Sequence, residues 1–356
     1  MKKGLLWSLV ITMGLMSVGC SSGSSESSNE PAVDLFALEN YVTDKTKEDL
    51  IIAVVTKDNT NNWFRRMEEG VNEFVAETGI EVIQKGPANA DAASQVEVID
   101  SLINQEVDAL CVVPIDPVAI EPSLKRAMQA GIVVITHEAS NQVNTLFDTE
   151  AFTAEAFGSA IMDSLAHDMG EAGKYAMMIA YTTSTTHMEY ANAQFNRQKE
   201  AYPNMELVGG EAIPSAESQE SIDTAYERAK EILKVNPDLK GFTGVASTDA
   251  PAIAKAVEEM KLDVKVVGVG TPNEFRPYVE SGTISTLKLW DPKDSGYVMC
   301  KLASDILSGN VENNGDGYNA GIPGYESMSL VEGTNRTLIG EADLTITSEN
   351  IGEFDF

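Results

Sequence analysis

Histidine and cysteine are scarce in this chain, with three of each among 356 residues. No paired Cys/His spacing of the zinc-site kind can be drawn from them. Cys111 lies in the apolar run Ala109-Leu110-Cys111-Val112-Val113, and Cys300 follows Met299 in an apolar helical stretch. Both read as small buried hydrophobes, with a disulfide between them left open. Basic residues are also short: 25 Lys and Arg stand against 55 Asp and Glu, a formal charge of −30. Nucleic acid is excluded as a partner, because its backbone demands cations. The same charge disfavours an anionic ligand or an anionic lipid surface, and mainly keeps the chain in solution. There is no glycine-rich phosphate loop, no Gly-x-Ser-x-Gly and no His/Glu metal spacing. The expected class is therefore not an enzyme, and no metal or cofactor is implied.

What is present begins with a processing signal. Lys2 and Lys3 precede a short apolar stretch, Leu5 to Met16, and then Ser17-Val18-Gly19-Cys20. The apolar stretch is short for a membrane span. The segment reads as a signal peptide over residues 1–19, with Cys20 as the lipidated first residue of a mature lipoprotein. A plain signal peptide cut near Gly19 is the alternative. Residues 20–47 then read as a tether, opened by the polar run Ser21 to Ser28. A diacylated cysteine supplies the two chains that stable anchoring needs. The expected location is extracytoplasmic, at the cell membrane.

Hydrophobic content of 43% suits a globular chain, and the length suits about two domains. From Leu50 onward, strand and helix alternate. Ile51-Ile52-Ala53-Val54-Val55 is a continuous apolar run, as in a parallel strand buried on both faces. The region 61–78 has helical spacing, with Trp63, Met67, Val71 and Phe74 on one face. Strands are predicted at 80–83, 109–113 and 132–135, and helices at 92–104 and 119–130. The alternation restarts near Asp148. Helices are predicted over 152–169, 187–202, 215–235, 250–260, 272–280 and 294–307, with strands at 175–179, 206–208, 241–244, 265–269 and 284–289. The fold class is α/β, with two doubly wound parallel-sheet lobes. Such sheets bind ligands at the carboxyl ends of their strands, so two facing edges make a cleft that closes by hinge motion.

Several stretches carry a family likeness. They are Leu124-Lys125-Arg126-Ala127-Met128-Gln129-Ala130-Gly131 with Val134-Ile135-Thr136, Val267-Gly268-Val269-Gly270-Thr271-Pro272-Asn273 with Arg276-Pro277-Tyr278-Val279, Leu289-Trp290-Asp291-Pro292 with Gly296-Tyr297, and the ending Asn350 to Phe356. From about residue 48 to the end, the chain resembles the type I periplasmic sugar-binding proteins of ABC transporters. Within them it is most similar to the autoinducer-2- and rhamnose-binding group. The resemblance implies two interleaved lobes, 48–148 plus 290–323 and 149–289 plus 324–356, joined by a three-crossing hinge near Asp148, Trp290 and Gly324. It also implies a small polyhydroxylated ligand, a membrane permease as partner, and action as a monomer.

Candidate ligand contacts fall just after strands. Lys57 matches the lysine by which autoinducer-2-binding relatives hold ligand; the alternative is an exposed loop lysine. Asn61, Trp63 and Phe64 resemble the Asn-x-aromatic-aromatic loop of ribose-type relatives, although Trp63 also lies on its helix's apolar side. Asp116 either bonds a hydroxyl or caps the helix after Pro117. Glu138 matches the family's ligand-binding aspartate, with a reach about 1.5 Å longer, and His137 stands beside it. In the second lobe, His187-Met188 replaces an Asp-Gln and Val245-Ala246-Ser247 replaces a Pro-Asp-Ala of the autoinducer-2 binders. The fold therefore carries over better than the ligand. His187, Ser247 and Asp249 remain candidates there, with Asp249 also suited to capping a helix. Trp290 either reaches the ligand or pins the hinge. A receptor that presents its closed form to a sensor shares this mechanism and differs only in partner. A DNA-binding repressor shares the fold, but here the signal segment occupies the place of its DNA-binding helices.

Overall fold

The computed structural model describes residues 34–311, 317–333 and 336–356. The signal segment, Cys20 and most of the tether lie outside the described residues. Leu35–Phe356 form one compact unit.

The first sheet grows from β1 (Ile51–Val55), whose last four residues are fully buried. Burial on both faces explains its unbroken apolar sequence. The chain then crosses through α1 (Asn62–Thr78) to β2 (Glu81–Lys85), and through α2 (Ala92–Ile103) to β3 (Ala109–Val112). It continues through α3 (Pro117–Gln129) to β4 (Val133–His137), with β5 (Phe147–Glu150) alongside. Local chemistry sets these boundaries. Asn61, Asp91 and Asp116 accept backbone N–H groups at the starts of α1, α2 and α3. Gly79, at φ 77°, closes α1 in the left-handed conformation that glycine takes without penalty.

The second sheet follows. After α4 (Ala154–Met169) come β6 (Gly173–Ile179), α5 (Thr185–Ala201), β7 (Met205–Leu207), β8 (Ala216–Glu217) and α6 (Ile222–Val235). Next are β9 (Leu239–Gly244), α7 (Asp249–Met260), β10 (Lys265–Gly268), α8 (Pro272–Ser281) and β11 (Ile284–Leu289). The chain then returns to the first lobe as α9 (Pro292–Leu307), which packs on α1 and on β3 and β4. The short strands β12 (Ser329–Leu330), β13 (Thr337–Ile339) and β14 (Leu344–Ile346) end the fold.

Among the described residues the first sheet has the order β12-β13-β5-β4-β3-β1-β2, and the second β14-β11-β10-β9-β6-β7 with β8 beside β6. Pairing is parallel except at two edges, where β12–β13 and β14–β11 run antiparallel. Two mostly parallel sheets clothed by helices are the α/β class that the strand-helix alternation predicts. The crossings differ in detail. Thr337 to Ile339 pair with Asp148 to Glu150 in the first sheet. The first crossing therefore follows Glu150, and the third lies between Ile339 and Leu344. The expected boundary at Gly324 is corrected to this point, because a three-residue strand was too short to show in the sequence. The middle crossing falls between β11 and α9, at Trp290. Two other boundaries move: the helix expected over 215–235 begins only at Ile222, and β5 was not anticipated.

Cys111 and Cys300 are buried free thiols, brought together where α9 lies on β3. Burial, then hydrogen bonding to Cys300, holds the Cys111 thiol well above its ordinary pKa.

Candidate functional site

A small enclosed cavity lies where the carboxyl edges of the two sheets meet. Its walls are Lys57, Asn61, Trp63, Phe64 and Glu138 from the first lobe, His187, Glu220, Val245, Ser247 and Val269 from the second, and Trp290 at the middle crossing. Each sits at or just beyond a strand's carboxyl end, or in the first helical turn that follows, where doubly wound sheets present ligands.

Lys57 follows β1 by two residues and is 3% exposed. Its Nζ lies 2.5 Å from Glu138 Oε2 and 3.7 Å from Glu220 Oε1. The three form a buried charge cluster that spans both lobes. Burial works against the charge on Lys57, but Glu138 and Glu220 outweigh it and hold the ammonium above its ordinary pKa. Burial likewise opposes the charge on Glu138; the nearby Lys57 prevails and holds its carboxyl below the usual range. Lys57 and Glu138 are thus an ion pair inside the protein. Glu220 differs: burial pushes its carboxyl up to about 7 despite Lys57, with Asp249, Glu138 and Asp58 adding to the rise.

His137 and His187 are neutral. Burial, then the nearby Lys57, depresses His187 to about 3. Burial also lowers His137, although Glu138 opposes the shift. His137 Nδ1 stands 2.5 Å from the Thr149 carbonyl, which only accepts, so the proton sits on Nδ1. The ring lies edge-on to Trp290, 5.8 Å between centroids, outside the cavity wall. His187 Nδ1 and Trp290 Nε1 are buried without a partner, and both residues line the cavity. Buried polar atoms are normally hydrogen-bonded, so these two leave unused donor or acceptor capacity beside the cavity.

Asn61 serves twice. Its Oδ1 caps α1 through the Trp63 N–H, and its Nδ2 donates to Ser247 Oγ in the other lobe at 3.0 Å. Trp63 and Phe64, each 4% exposed, begin α1 and wall the cavity. Trp63 meets Trp290 edge to face, 4.8 Å between centroids, so Trp290 both faces the cavity and ties the crossing to α1. Further bonds hold the lobes together around the cavity: Asn62 Nδ2 to Glu274, Tyr181 O–H to the Ala90 carbonyl, and Ser140 Oγ to Glu189, each 2.7 Å.

Besides His137, two more candidates do not reach the cavity. Asp116 accepts from the Val118 and Ala119 N–H groups and starts α3. Asp249 is fully buried at the start of α7 and accepts from the Ala246 N–H; burial raises it to about 6. Glu220, Val245 and Val269 are the walls that sequence reasoning missed. Glu220 was hidden inside the overlong expected helix. In the structure it stands in a turn, with Gln219 and Glu220 both at positive φ, and Ser221 caps α6 behind it.

The cavity is small, ≈ 20 Å³, which is room for about one water molecule. A sugar-sized ligand therefore enters only with the lobes apart or with Lys57 displaced. A larger open groove of ≈ 810 Å³ runs beside α4 and α5, lined among others by Asp163, Asn196 and Arg197. There Arg197 and Asp163 already satisfy each other, so the enclosed cavity is the better candidate. Among the described residues, no group of His, Cys, Asp and Glu is placed to hold a metal. No described helix is long and apolar enough to cross a membrane.

The model of the periplasmic binding protein domain matches residues 52–310. The chain belongs to the periplasmic binding protein family. Curated relatives include a D-ribose/D-allose-binding protein of Pseudomonas aeruginosa, 27% identical over 67% of this chain and 76% of that protein. Another is a D-allose-binding periplasmic protein of Escherichia coli, 24% identical over 71% of this chain and 83% of that one. Among solved structures, the LsrB protein of Clostridium saccharobutylicum in complex with AI-2 superposes with a TM-score of 0.79 at 23% identity. That match covers 86% of this chain and all of the other. A Clostridium phytofermentas ABC transporter solute-binding protein with bound L-rhamnose gives 0.78 at 21%, covering 86% and 98%. At these identities the structural matches bear on the fold alone.

Proposed function

We propose that this protein is the extracytoplasmic solute-binding component of an ABC transporter, held at the membrane through lipidated Cys20, and that it captures a small sugar or sugar-like ligand between its lobes. One observation carries the reading: polar side chains from both lobes converge on one enclosed cavity with aromatic walls. Sugars present hydroxyls around a ring and an apolar C–H face. Carboxylate, lysine, amide and hydroxyl groups bond the former, and Trp63, Phe64 and Trp290 stack on the latter. The D-ribose- and D-allose-binding relatives support this class. Closure completes the site, because Lys57, Asn61 and Glu138 meet His187, Glu220 and Ser247 only when the lobes come together. A permease would then read the closed spacing of the two lobes.

A thermal-shift screen of the purified protein against ribose, allose, rhamnose, arabinose and AI-2 tests the reading. A ligand bound only by the folded state raises the melting temperature by mass action. A concentration-dependent rise with one member is expected. No rise with any of them would count against a sugar-like ligand.

A further inference from the structure

The cavity wall holds one lysine for two carboxylates. Lys57 makes its hydrogen bond to Glu138 and stands 3.7 Å from Glu220, beyond hydrogen-bond length. Among the described residues, Lys57 is the one cation whose charge acts on Glu220. Asp58 beside β1, Glu138 after β4 and Asp249 on α7 are acids, and Tyr181 after β6 is a phenol. His187 on α5 is neutral. Burying a carboxylate without a cation of its own is costly.

The backbone adds a second observation. Glu138 has φ 59° and Glu220 φ 54°. Both are in the left-handed region that residues other than glycine avoid, and such outliers cluster where a site requires them. One lies on each lobe, and both carry their carboxylates to the same cavity. Beside them, His187 Nδ1 and Trp290 Nε1 are buried and unpartnered.

We infer that the ligand carries a cationic amino group as well as hydroxyls, and that Glu220 is the residue that receives the amino group. This rests on the reading of the cleft as a site for a sugar-like ligand. An ammonium at Glu220 gives each carboxylate of the cavity wall its own cation, with Lys57 paired to Glu138 and the ligand paired to Glu220. Trp290 Nε1 then donates to a hydroxyl oxygen, and His187 Nδ1 bonds another hydroxyl. A neutral sugar in the same place would leave Glu220 to take up a proton when the lobes close.

Calorimetric titration of the purified protein at pH 7 tests this, with D-glucosamine and D-galactosamine each set beside its neutral parent, D-glucose or D-galactose. A charge-assisted hydrogen bond predicts that an amino sugar binds at least about tenfold tighter than its parent. Glu220→Gln keeps the shape of the side chain and should cut that preference to under about threefold; its melting curve confirms folding. Neutral sugars binding as tightly as their amines, or a preference that survives Glu220→Gln, would overturn the inference while leaving the sugar-binding reading intact. Binding by neither series, together with no rise in the thermal-shift screen, would overturn both.

Discussion

At the scale of single residues, the proposed site makes the Lys57–Glu138 pair a determinant of binding as well as of stability. Both side chains are almost fully buried, so removing one strands the other as an unpaired charge, at a cost of about 3–5 kcal/mol. Lys57→Met should therefore lower the melting temperature and abolish ligand binding. Adding Glu138→Gln should restore most of the melting temperature without restoring binding. Parallel melting and titration curves check this; restored binding in the double variant would remove the pair from the site. Glu220 gives a pH signature. Its carboxyl is raised to about 7 in the folded state from an ordinary value of 4.5. The folded protein thus binds more protons than the unfolded chain across that window, and stability from this group is lost as pH rises through it. Glu220→Gln removes the loss. The melting temperature of the variant relative to the native protein should climb between pH 5 and pH 8. A difference that stays flat would mean Glu220 does not titrate in that window. The depressed His187 changes stability in the opposite sense below its unfolded value, but it is common to both proteins and cancels in the comparison.

Secondary structure was legible in the sequence where periodicity and capping agree. The continuous apolar run of β1 and the one-sided spacing of α1 placed both elements within a residue or two. Short elements were not legible. β8 has two residues and β13 three, too few for any period to show. Missing β8 stretched the next helix and concealed Glu220; missing β13 moved the third crossing. Candidate site residues were legible through their position after strands. Asp116 and Asp249 share that position, but local N–H groups claimed them, and position alone cannot separate a cap from a ligand contact. Helix packing makes its own prediction. α1 and α9 approach so closely that a Cβ on Gly70 would lie 1.8 Å from the Lys293 carbonyl oxygen, and one on Gly296 would lie 2.6 Å from that of Met67. Gly70→Ala must push the helices apart and should cost about 1–3 kcal/mol, read as a lower melting temperature. Because Cys300 on α9 packs against Cys111 on β3, both thiols should resist alkylation in the folded protein and react after denaturation. Rapid labelling under native conditions would show that α9 lifts from the sheet.

At the scale of the whole molecule, two sheets facing each other across three crossings create one place where both strand edges meet. The polar residues lie there. The lobes touch through Asn61–Ser247, Asn62–Glu274, Tyr181–Ala90 and Ser140–Glu189. Each is a single hydrogen bond of modest net value; the buried Lys57–Glu220 contact also crosses between the lobes. Charge of −30 lies outside this account of recognition.

The central claim is that ligand sits between the lobes at Lys57, Glu138 and the aromatic walls. The chain has three tryptophans, and two of them, Trp63 and Trp290, line the cavity. Tryptophan emission followed during titration with L-rhamnose, D-ribose, AI-2 and D-glucosamine is the most direct test. A saturable change with at least one of these is expected, and it should vanish in the Lys57→Met, Glu138→Gln double variant. A ligand that stabilises the protein yet leaves the emission unchanged, or an emission change that survives the double variant, would place the binding site elsewhere.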